Sequence, residues 1–157
     1  MVENVSLNII RRKDNLRSTP ILFISLLLFL SGCQTATLQN AGTDAASKKF
    51  VAELGKAKIY VYRLSGLAGV IRVEPVFVDG RMLGHNGPGT FLTLSVSPGQ
   101  HTVSTTASSI SIHGEGGGVY FVKQKMSAWG PTSSVENVST ADGEHGVALC
   151  SQAVSLY

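Results

Sequence analysis

The sequence has few cysteines and no long apolar run. Cys33 and Cys150 are its two cysteines, so at most one disulfide could form within the chain. The strongly apolar run from Ile21 to Leu30 contains ten residues and is interrupted only by Ser25. A membrane-spanning helix needs about 20 apolar residues, so this run is too short to cross a bilayer. Its length is typical of a signal-peptide core.

The chain also lacks a strong excess of one charge. Its net charge is +3, but four cations and two anions lie within residues 1–32. The rest carries nine cations and eight anions, a net charge of +1. A nucleic-acid-binding protein needs a basic patch, so we predict that nucleic acid is not a partner. The lysines at 48, 49, 56 and 58 are interpreted as a solvated segment.

The first 33 residues have the order of features that a signal peptide has. Arg11, Arg12, Lys13 and Arg17 precede the apolar run, and small residues then lead to Cys33. The stretch Leu30-Ser31-Gly32-Cys33 resembles the lipobox of bacterial lipoproteins, L-[AS]-[GA]-C, at every position. The alternatives are an ordinary secretory signal in which Cys33 occurs by chance, or a buried strand or helix.

The lipobox resemblance implies a defined processing of the chain. A diacylglyceryl group with palmitate-like chains is expected on the Cys33 sulfur, and cleavage is expected between Gly32 and Cys33. With Cys33 lipidated, Cys150 has no partner for an intramolecular disulfide. An aspartate after the cysteine retains lipoproteins in the inner membrane of enterobacteria-like cells. Gln34 stands there instead, which implies the periplasmic face of the outer membrane.

Composition divides the chain into three segments. We predict a lipoprotein signal peptide over residues 1–32, a lipidated N-terminus and tether over 33–55, and a folded domain over 56–157. The tether prediction depends on residues 34–48, which are small and polar and show no periodicity.

Beyond residue 56 the apolar residues recur with a period of two, which indicates β-strands. In the stretch 58–63, Ile59 and Val61 share one face and Tyr60 and Tyr62 share the other. Further strands are expected over 70–78, 81–83, 90–96, 101–107, 119–127 and 135–139. The tail from 141 to 157 is ambiguous, and a short helix followed by a final strand is one interpretation.

Turn residues separate these segments. Asp79-Gly80 predicts a tight hairpin turn, because both central positions of such a turn require positive φ. Pro75 lies inside a predicted strand and predicts an edge position or a bulge there. Short strands with frequent turn signals predict an all-β fold, a small antiparallel β-sandwich of about six or seven strands.

The order of several motifs resembles a known family. The motifs lie at 57–63, 76–84, 89–91, 96–101 and 119–122. Together they resemble an uncharacterised domain family of bacterial lipoproteins, a domain of unknown function. The middle part is similar to the PEGA-type module, a V-D-G hairpin followed by a P-G-x-H turn. The resemblance implies a β-sandwich-like domain in the cell envelope and brings no catalytic residues.

The residues that could carry chemistry are few. His85, His101, His113 and His145 follow no metal-ligand spacing and are interpreted as loop and turn histidines, so we predict no metal and no cofactor. Cys150 lies in an apolar context and is interpreted as a buried, inert thiol. No catalytic residue is predicted, because the sequence contains no G-x-S-x-G nucleophile motif.

One aromatic and cationic group is a weak candidate for a binding surface. Arg63 follows Tyr60 and Tyr62, a combination that could contact an anion or a glycan. The alternative is a salt bridge or cation–π pair that only stabilises the domain. Trp129 and Tyr120 could likewise belong to a binding patch or to the core.

These observations predict a lipid-anchored envelope lipoprotein that acts as a binding or structural accessory module and not as an enzyme. Its expected partners are the membrane, through lipidated Cys33, and an envelope protein or a cell-wall polymer. The alternatives are a periplasmic enzyme acting on an envelope polymer or lipid, and a metal-handling protein.

Overall fold

The structure, a computed structural model, describes residues 35–67, 72–127 and 132–157. The chain divides into two compact units, Met1–Cys33 and Gln34–Tyr157, and every described residue belongs to the second unit. The predicted signal peptide, its cleavage site at Gly32 and Cys33, and the predictions for Gln34 and Trp129 lie outside the described residues. None of the helices in the described ranges is long and apolar enough to cross a membrane.

The described residues form two helices and nine strands. The helices are α1 (Ala41–Ser47) and α2 (Thr140–Ala148). The strands are β1 (Ala57–Arg63), β2 (Glu74–Val78), β3 (Arg81–Asn86), β4 (Thr90–Val96), β5 (Gly99–Ser104), β6 (Ser109–Gly114), β7 (Val119–Met126), β8 (Ser133–Val138) and β9 (Ser151–Gln152).

The strands form two sheets. A five-stranded sheet has the order β8-β7-β1-β4-β9, and a four-stranded sheet has the order β3-β2-β5-β6. Alternating apolar residues of both sheets meet in one core, which includes Ile59 and Val61 of β1, Val76 of β2 and Val103 of β5. The mostly-β, sandwich-like architecture predicted from the sequence is therefore confirmed.

A second core lies on the other face of the five-stranded sheet. Tyr60 and Tyr62 of β1 pack there with Phe91 of β4, Phe121 of β7 and Val147 of α2. Strand β1 is therefore buried on both faces, as the apolar and aromatic alternation of its residues requires.

Several turn predictions are confirmed. Asp79 and Gly80 both have positive φ, 51° and 76°, and they connect β2 to β3. Pro75 lies beside a shift in register between Val76 and Phe77, and strand β5 pairs only with Phe77 and Val78 of β2. The missing N–H of Pro75 therefore interrupts no bond to β5. The tail forms α2 and then β9, which matches the interpretation of a helix followed by a strand.

The prediction of six or seven strands, all antiparallel, is wrong in its details. Strands β1 and β7 are parallel, and so are β4 and β9. Parallel partners are joined by long connections, so no local turn signals their pairing. Strand β6 was missed because it exposes serines and a histidine.

The predicted tether is also corrected. Residues 36–50 pack on the domain: Ala36 contacts the core between the sheets, and Leu38 forms a bridge with Ala153. Helix α1 follows, and Phe50 packs against the second core. Hydrogen bonds to the domain hold this small, polar segment in place, and its composition alone therefore resembles that of a flexible linker. The compact unit consequently begins at Gln34 and not at residue 56.

Candidate functional site

One end of the sandwich is polar inside. In six strands the inward-facing row of apolar residues changes to a buried polar residue two positions away, close to the end of the strand or just past it. The pairs are Val61 and Arg63, Val76 and Glu74, Leu92 and Thr90, Val103 and Thr105, Val122 and Gln124, and Val135 and Ser133. Buried Asn86 ends β3 in the same region. We call Arg63, Glu74, Asn86, Thr90, Thr105, Gln124 and Ser133 the polar end cluster.

The strand register brings these side chains together. Arg63 lies opposite Thr90, and Glu74 lies opposite Asn86. The Thr105 hydroxyl approaches the Ser133 carbonyl at 3.3 Å, which links β5 of one sheet to β8 of the other. The cluster therefore joins both sheets at the end where the apolar core stops.

An amide and hydroxyl network lies at its centre. The Asn86 Nδ2 donates to Gln124 Oε1 at 3.0 Å, and the Thr90 hydroxyl donates to Asn86 Oδ1 at 2.6 Å. The same Thr90 Oγ1 accepts the backbone N–H of Gly87 at 2.7 Å. These bonds tie the turn between β3 and β4 to β7.

Arg63 is part of this interior and not of the surface. It is 2% exposed, and its Nη1 donates to the Arg72 carbonyl at 2.7 Å. Burial lowers the pKa of Arg63, and the nearby Glu74 carboxylate partly offsets that effect. Glu74 in turn accepts from Arg72 Nη2 at 2.8 Å. The guanidinium thus brings a buried positive charge close to a carboxylate.

Two atoms of the cluster have no hydrogen-bond partner among the described residues. They are the Gln124 Nε2 and the Ser133 Oγ, and each residue is 2% exposed. A buried polar atom without a partner is costly, and such atoms mark places where water or a ligand supplies the missing bond. A carbonyl or hydroxyl oxygen would satisfy the Gln124 amide, and the serine hydroxyl can donate or accept.

Tyr60 and Tyr62 do not form the predicted binding surface. Tyr60 is fully buried, and its hydroxyl donates to the Ser47 carbonyl of α1 at 2.6 Å. The Tyr62 hydroxyl lies 3.5 Å from the Asp142 carbonyl of α2. Burial raises the pKa of Tyr60 to about 12. The two tyrosine hydroxyls therefore contact the two helices, which cover the face that the sequence alone left open, and Arg63 contacts the Arg72 carbonyl ahead of β2.

A groove lies beside strand β6. Its volume is about 340 Å³, and its lining includes Ser111 and His113 of β6, Tyr120 of β7, Asn137 of β8 and Thr140 of α2. The Tyr120 hydroxyl accepts the backbone N–H of Glu115 at 2.9 Å, so this ring is fixed at the wall. Tyr120 therefore belongs partly to the core and partly to a surface depression, which combines its two interpretations.

The remaining candidate residues are apart from one another. Cys150 is buried, burial raises its pKa to about 11, and its thiol lies 3.4 Å from the Arg63 carbonyl. His101 pairs with Asp79, whereas His85 and His113 are exposed on different strands. In the part of the chain that the structure describes, no three His, Cys, Asp or Glu residues are grouped so that they could hold a metal ion.

Sequence reasoning missed the polar end cluster, although a signal for it exists. A polar residue lies two positions after a buried valine in β1, β5 and β7, and two positions before a buried valine or leucine in β2, β4 and β8. When each strand is considered alone, its polar residue looks like an ordinary strand end. Only the topology shows that the six ends coincide.

Comparison with known proteins identifies the family. No curated protein matches the chain. The family model described as "Protein of unknown function (DUF2846)" matches residues 53–141. The match runs from the turn before β1 to the first residues of α2, includes the whole polar end cluster, and leaves out α1 and β9. It spans more than half of the 157 residues, so the chain belongs to the DUF2846 family.

Proposed function

We propose that this chain is a lipid-anchored lipoprotein of the bacterial cell envelope, whose β-domain acts as a binding or structural accessory module. The observation that carries the proposal is the stretch Leu30-Ser31-Gly32-Cys33 after a basic segment and a short apolar run. The division of the chain supports it, because the compact unit begins at Gln34, one residue beyond Cys33. Cleavage before Cys33 would remove no part of that unit.

The lipid anchor itself has simple energetics. Each buried methylene contributes about 0.8 kcal/mol, and a single acyl chain gives only marginal membrane binding. Cys33 carrying a diacylglyceryl group would hold the domain far more firmly, because two chains add their contributions. Gln34 then favours the outer membrane, with the domain on the periplasmic face.

The chemistry of the polar end cluster supports a binding role. Its buried groups are amides, hydroxyls, one guanidinium and one carboxylate, which recognise hydrogen-bonding partners. Two of its atoms, Gln124 Nε2 and Ser133 Oγ, have bonding capacity unused by the described residues. Both residues are 2% exposed, so a carbonyl or hydroxyl oxygen of an envelope protein or a cell-wall polymer would reach these atoms only when this end of the sandwich opens.

Replacement of the two cysteines tests the anchor. In cells fed an alkyne fatty acid, we expect the Cys33→Ser variant to lose the acyl label, to remain unprocessed or to leave the membrane fraction. Cys150→Ser is the matched control, because Cys150 is buried in the domain and should leave labelling unchanged. A Cys33→Ser protein that still fractionates as an acylated mature lipoprotein would contradict the proposal.

The accessory role and the location need their own tests. Crosslinking in native membranes should give a reproducible complex, and a protein found only as a free monomer under many conditions would count against a binding module. In a diderm host, Gln34→Asp should move the protein from the outer to the inner membrane fraction. An unchanged distribution would show that Gln34 does not set the location.

A further inference from the structure

The N-terminal segment is fixed to the domain almost from its first described residue. Ala36 packs against the core between the sheets. The Val154 N–H donates to the Thr37 carbonyl at 2.8 Å, and the Gln39 N–H donates to the Gln152 carbonyl at 2.8 Å. Residues 36–39 thus pair with the C-terminal segment and cannot act as a flexible spacer.

This pairing leaves little chain between the anchor and the domain. Ala36 is three residues after Cys33, so a fully extended connection spans at most about 11 Å. The headgroup layer on each side of a bilayer is roughly 5–7 Å thick. A domain tied to a lipidated Cys33 by this connection must lie against the headgroups.

Ala36 lies next to Gly87, just after β3, and the edge formed by β3, residues 36–39 and the C-terminal segment has a composition that suits a bilayer interface. Leu38 is 53% exposed and Leu156 is 61% exposed, although both are large and apolar. Tyr157 is exposed as well, and its ring lies 4.3 Å from the Arg81 guanidinium. Tyrosines and arginines are favoured where an apolar layer meets water, because each has an apolar body and a polar end.

These residues belong to one edge of the molecule. Leu38 bridges to Ala153, and Leu156 donates its N–H to the Leu83 carbonyl of β3 at 2.8 Å. The Tyr157 hydroxyl donates to the Arg81 carbonyl of the same strand at 3.0 Å. We call Leu38, Arg81, Leu156 and Tyr157 the lipid-facing edge.

We propose that the lipid-facing edge rests on the phospholipid surface of the membrane that holds Cys33, and that the three-residue connection keeps it there. The inference rests on the proposed lipidation of Cys33. The domain then has a fixed orientation on the membrane and does not move freely on a tether. The opposite edge of the five-stranded sheet, strand β8, then faces away from this membrane.

Depth measurements on the lipidated protein test the orientation. An environment-sensitive fluorophore is attached at Leu38→Cys or Leu156→Cys, and the proteins are reconstituted into phosphatidylethanolamine and phosphatidylglycerol vesicles that contain a headgroup spin-labelled lipid. Ser134→Cys is the matched control, since it is exposed on β8, four strands from β9 and about 19 Å away. We expect quenching at positions 38 and 156 to exceed that at 134 about twofold or more, because 19 Å is beyond the headgroup layer.

A longer connection tests what holds the edge in place. A Gly/Ser insert of about 15 residues between Gln34 and Thr35 spans roughly 20 Å, so quenching at 156 should fall toward the value at 134. Equal quenching at 134 and 156, or quenching at 156 that the insert leaves unchanged, would overturn the inference. Failure of the proposed lipidation gives a different result, because the labelled protein would then not float with the vesicles at all.

Discussion

His101 lies between two oxygen atoms, and each of its ring nitrogens is within hydrogen-bond distance of one of them. Its Nδ1 is 2.7 Å from Asp79 Oδ2, and its Nε2 is 2.7 Å from the Ser97 carbonyl. Both partners are acceptors, so only the doubly protonated imidazolium can donate to both. The hydrogen bond to Asp79 is the main cause that raises the pKa of His101 above 6.5.

Asp79 is stabilised in its charged form by the same contact. Partial burial favours the neutral carboxyl, but hydrogen bonds from His101 and from the Thr102 N–H outweigh it and lower the pKa of Asp79. The pair therefore connects the β2–β3 turn to β5 through opposite charges. The contribution of the pair to the free energy of unfolding falls at both low and high pH, since His101 must be protonated and Asp79 must be ionised.

We expect the free energy of unfolding to fall as pH rises through the raised pKa of His101. The contribution is fully present below the ordinary histidine pKa of about 6.5 and is lost above the folded-state value. It is lost again in acid, as pH falls through the lowered pKa of Asp79. Because Asp79 is half-exposed, the loss should be roughly 1 kcal/mol or less. Urea unfolding of the mature chain at several pH values measures it.

Asp79→Asn is the control for this prediction. Asparagine tolerates the positive φ of 51° at this turn, so the substitution removes the charge and keeps the backbone. The variant should show a smaller change in stability between acidic and basic pH than the parent. A parent and a variant with identical pH dependence would contradict the assigned role of the pair.

The sequence predicted which strand residues share a face, but not what covers each face. The alternation around Tyr60 and Tyr62 correctly separated them from Ile59 and Val61. Both rows of β1 are buried, however, because two helices cover the aromatic row. Alternation shows which side chains of a strand share a face. It does not show whether a polar helix covers that face.

At the scale of elements, α1 shows why the tether prediction failed. Only Ser47 of this helix is buried, so its seven residues have no apolar periodicity to detect. Hydrogen bonds hold it instead. Asn40 caps its first turn by accepting the Thr43 N–H at 2.9 Å, and Asp44 Oδ1 accepts the Gln152 N–H of β9 at 2.7 Å. A polar segment held by polar contacts has the composition of a flexible linker.

Asp44→Ala should release α1 from β9. The variant loses a charge-assisted bond to a backbone N–H, which costs about 1–3 kcal/mol. Amide hydrogen exchange should speed up across residues 41–50 and at Gln152, while the amides of β1 and β7 remain protected. Unchanged exchange in α1 would show that the Asp44 contact does not hold the helix.

The Lys48→Ala variant distinguishes the effect of the hydrogen bond between Asp44 and Gln152 from that of the ion pair on the same carboxylate. Lys48 Nζ lies 2.7 Å from Asp44 Oδ2 at the helix surface. A partly exposed pair with this spacing on a helix contributes about 0.5 kcal/mol, so Lys48→Ala should change the exchange of α1 less than Asp44→Ala does.

At the scale of the whole molecule, the two ends of the sandwich interior differ. The middle of the core is apolar, and one end is closed by the polar end cluster. Turn signals and alternation predicted most of the strands that build this interior. They could not predict the coincidence of the polar ends, since that depends on the parallel pairing of β1 with β7, residues more than fifty positions apart.

The Ser133→Ala variant tests whether the polar end cluster lowers the stability of the fold. The Ser133 hydroxyl is buried and has no partner among the described residues, and a buried polar group without a hydrogen bond costs about 1–3 kcal/mol. Removing it should raise the free energy of unfolding by about 1 kcal/mol. Ser134→Ala, on the exposed face of the same strand, should change it by about 0.5 kcal/mol or less.

A loss of stability in Ser133→Ala would instead mean that the hydroxyl is hydrogen-bonded in the folded protein, and would contradict the prediction. A gain has a consequence for function. Departures from the most stable sequence are concentrated at functional sites, so a gain would make Ser133 a candidate binding residue. Ser133→Ala should then weaken the crosslinked complex in native membranes while Ser134→Ala preserves it, which would assign the binding role to this end of the sandwich.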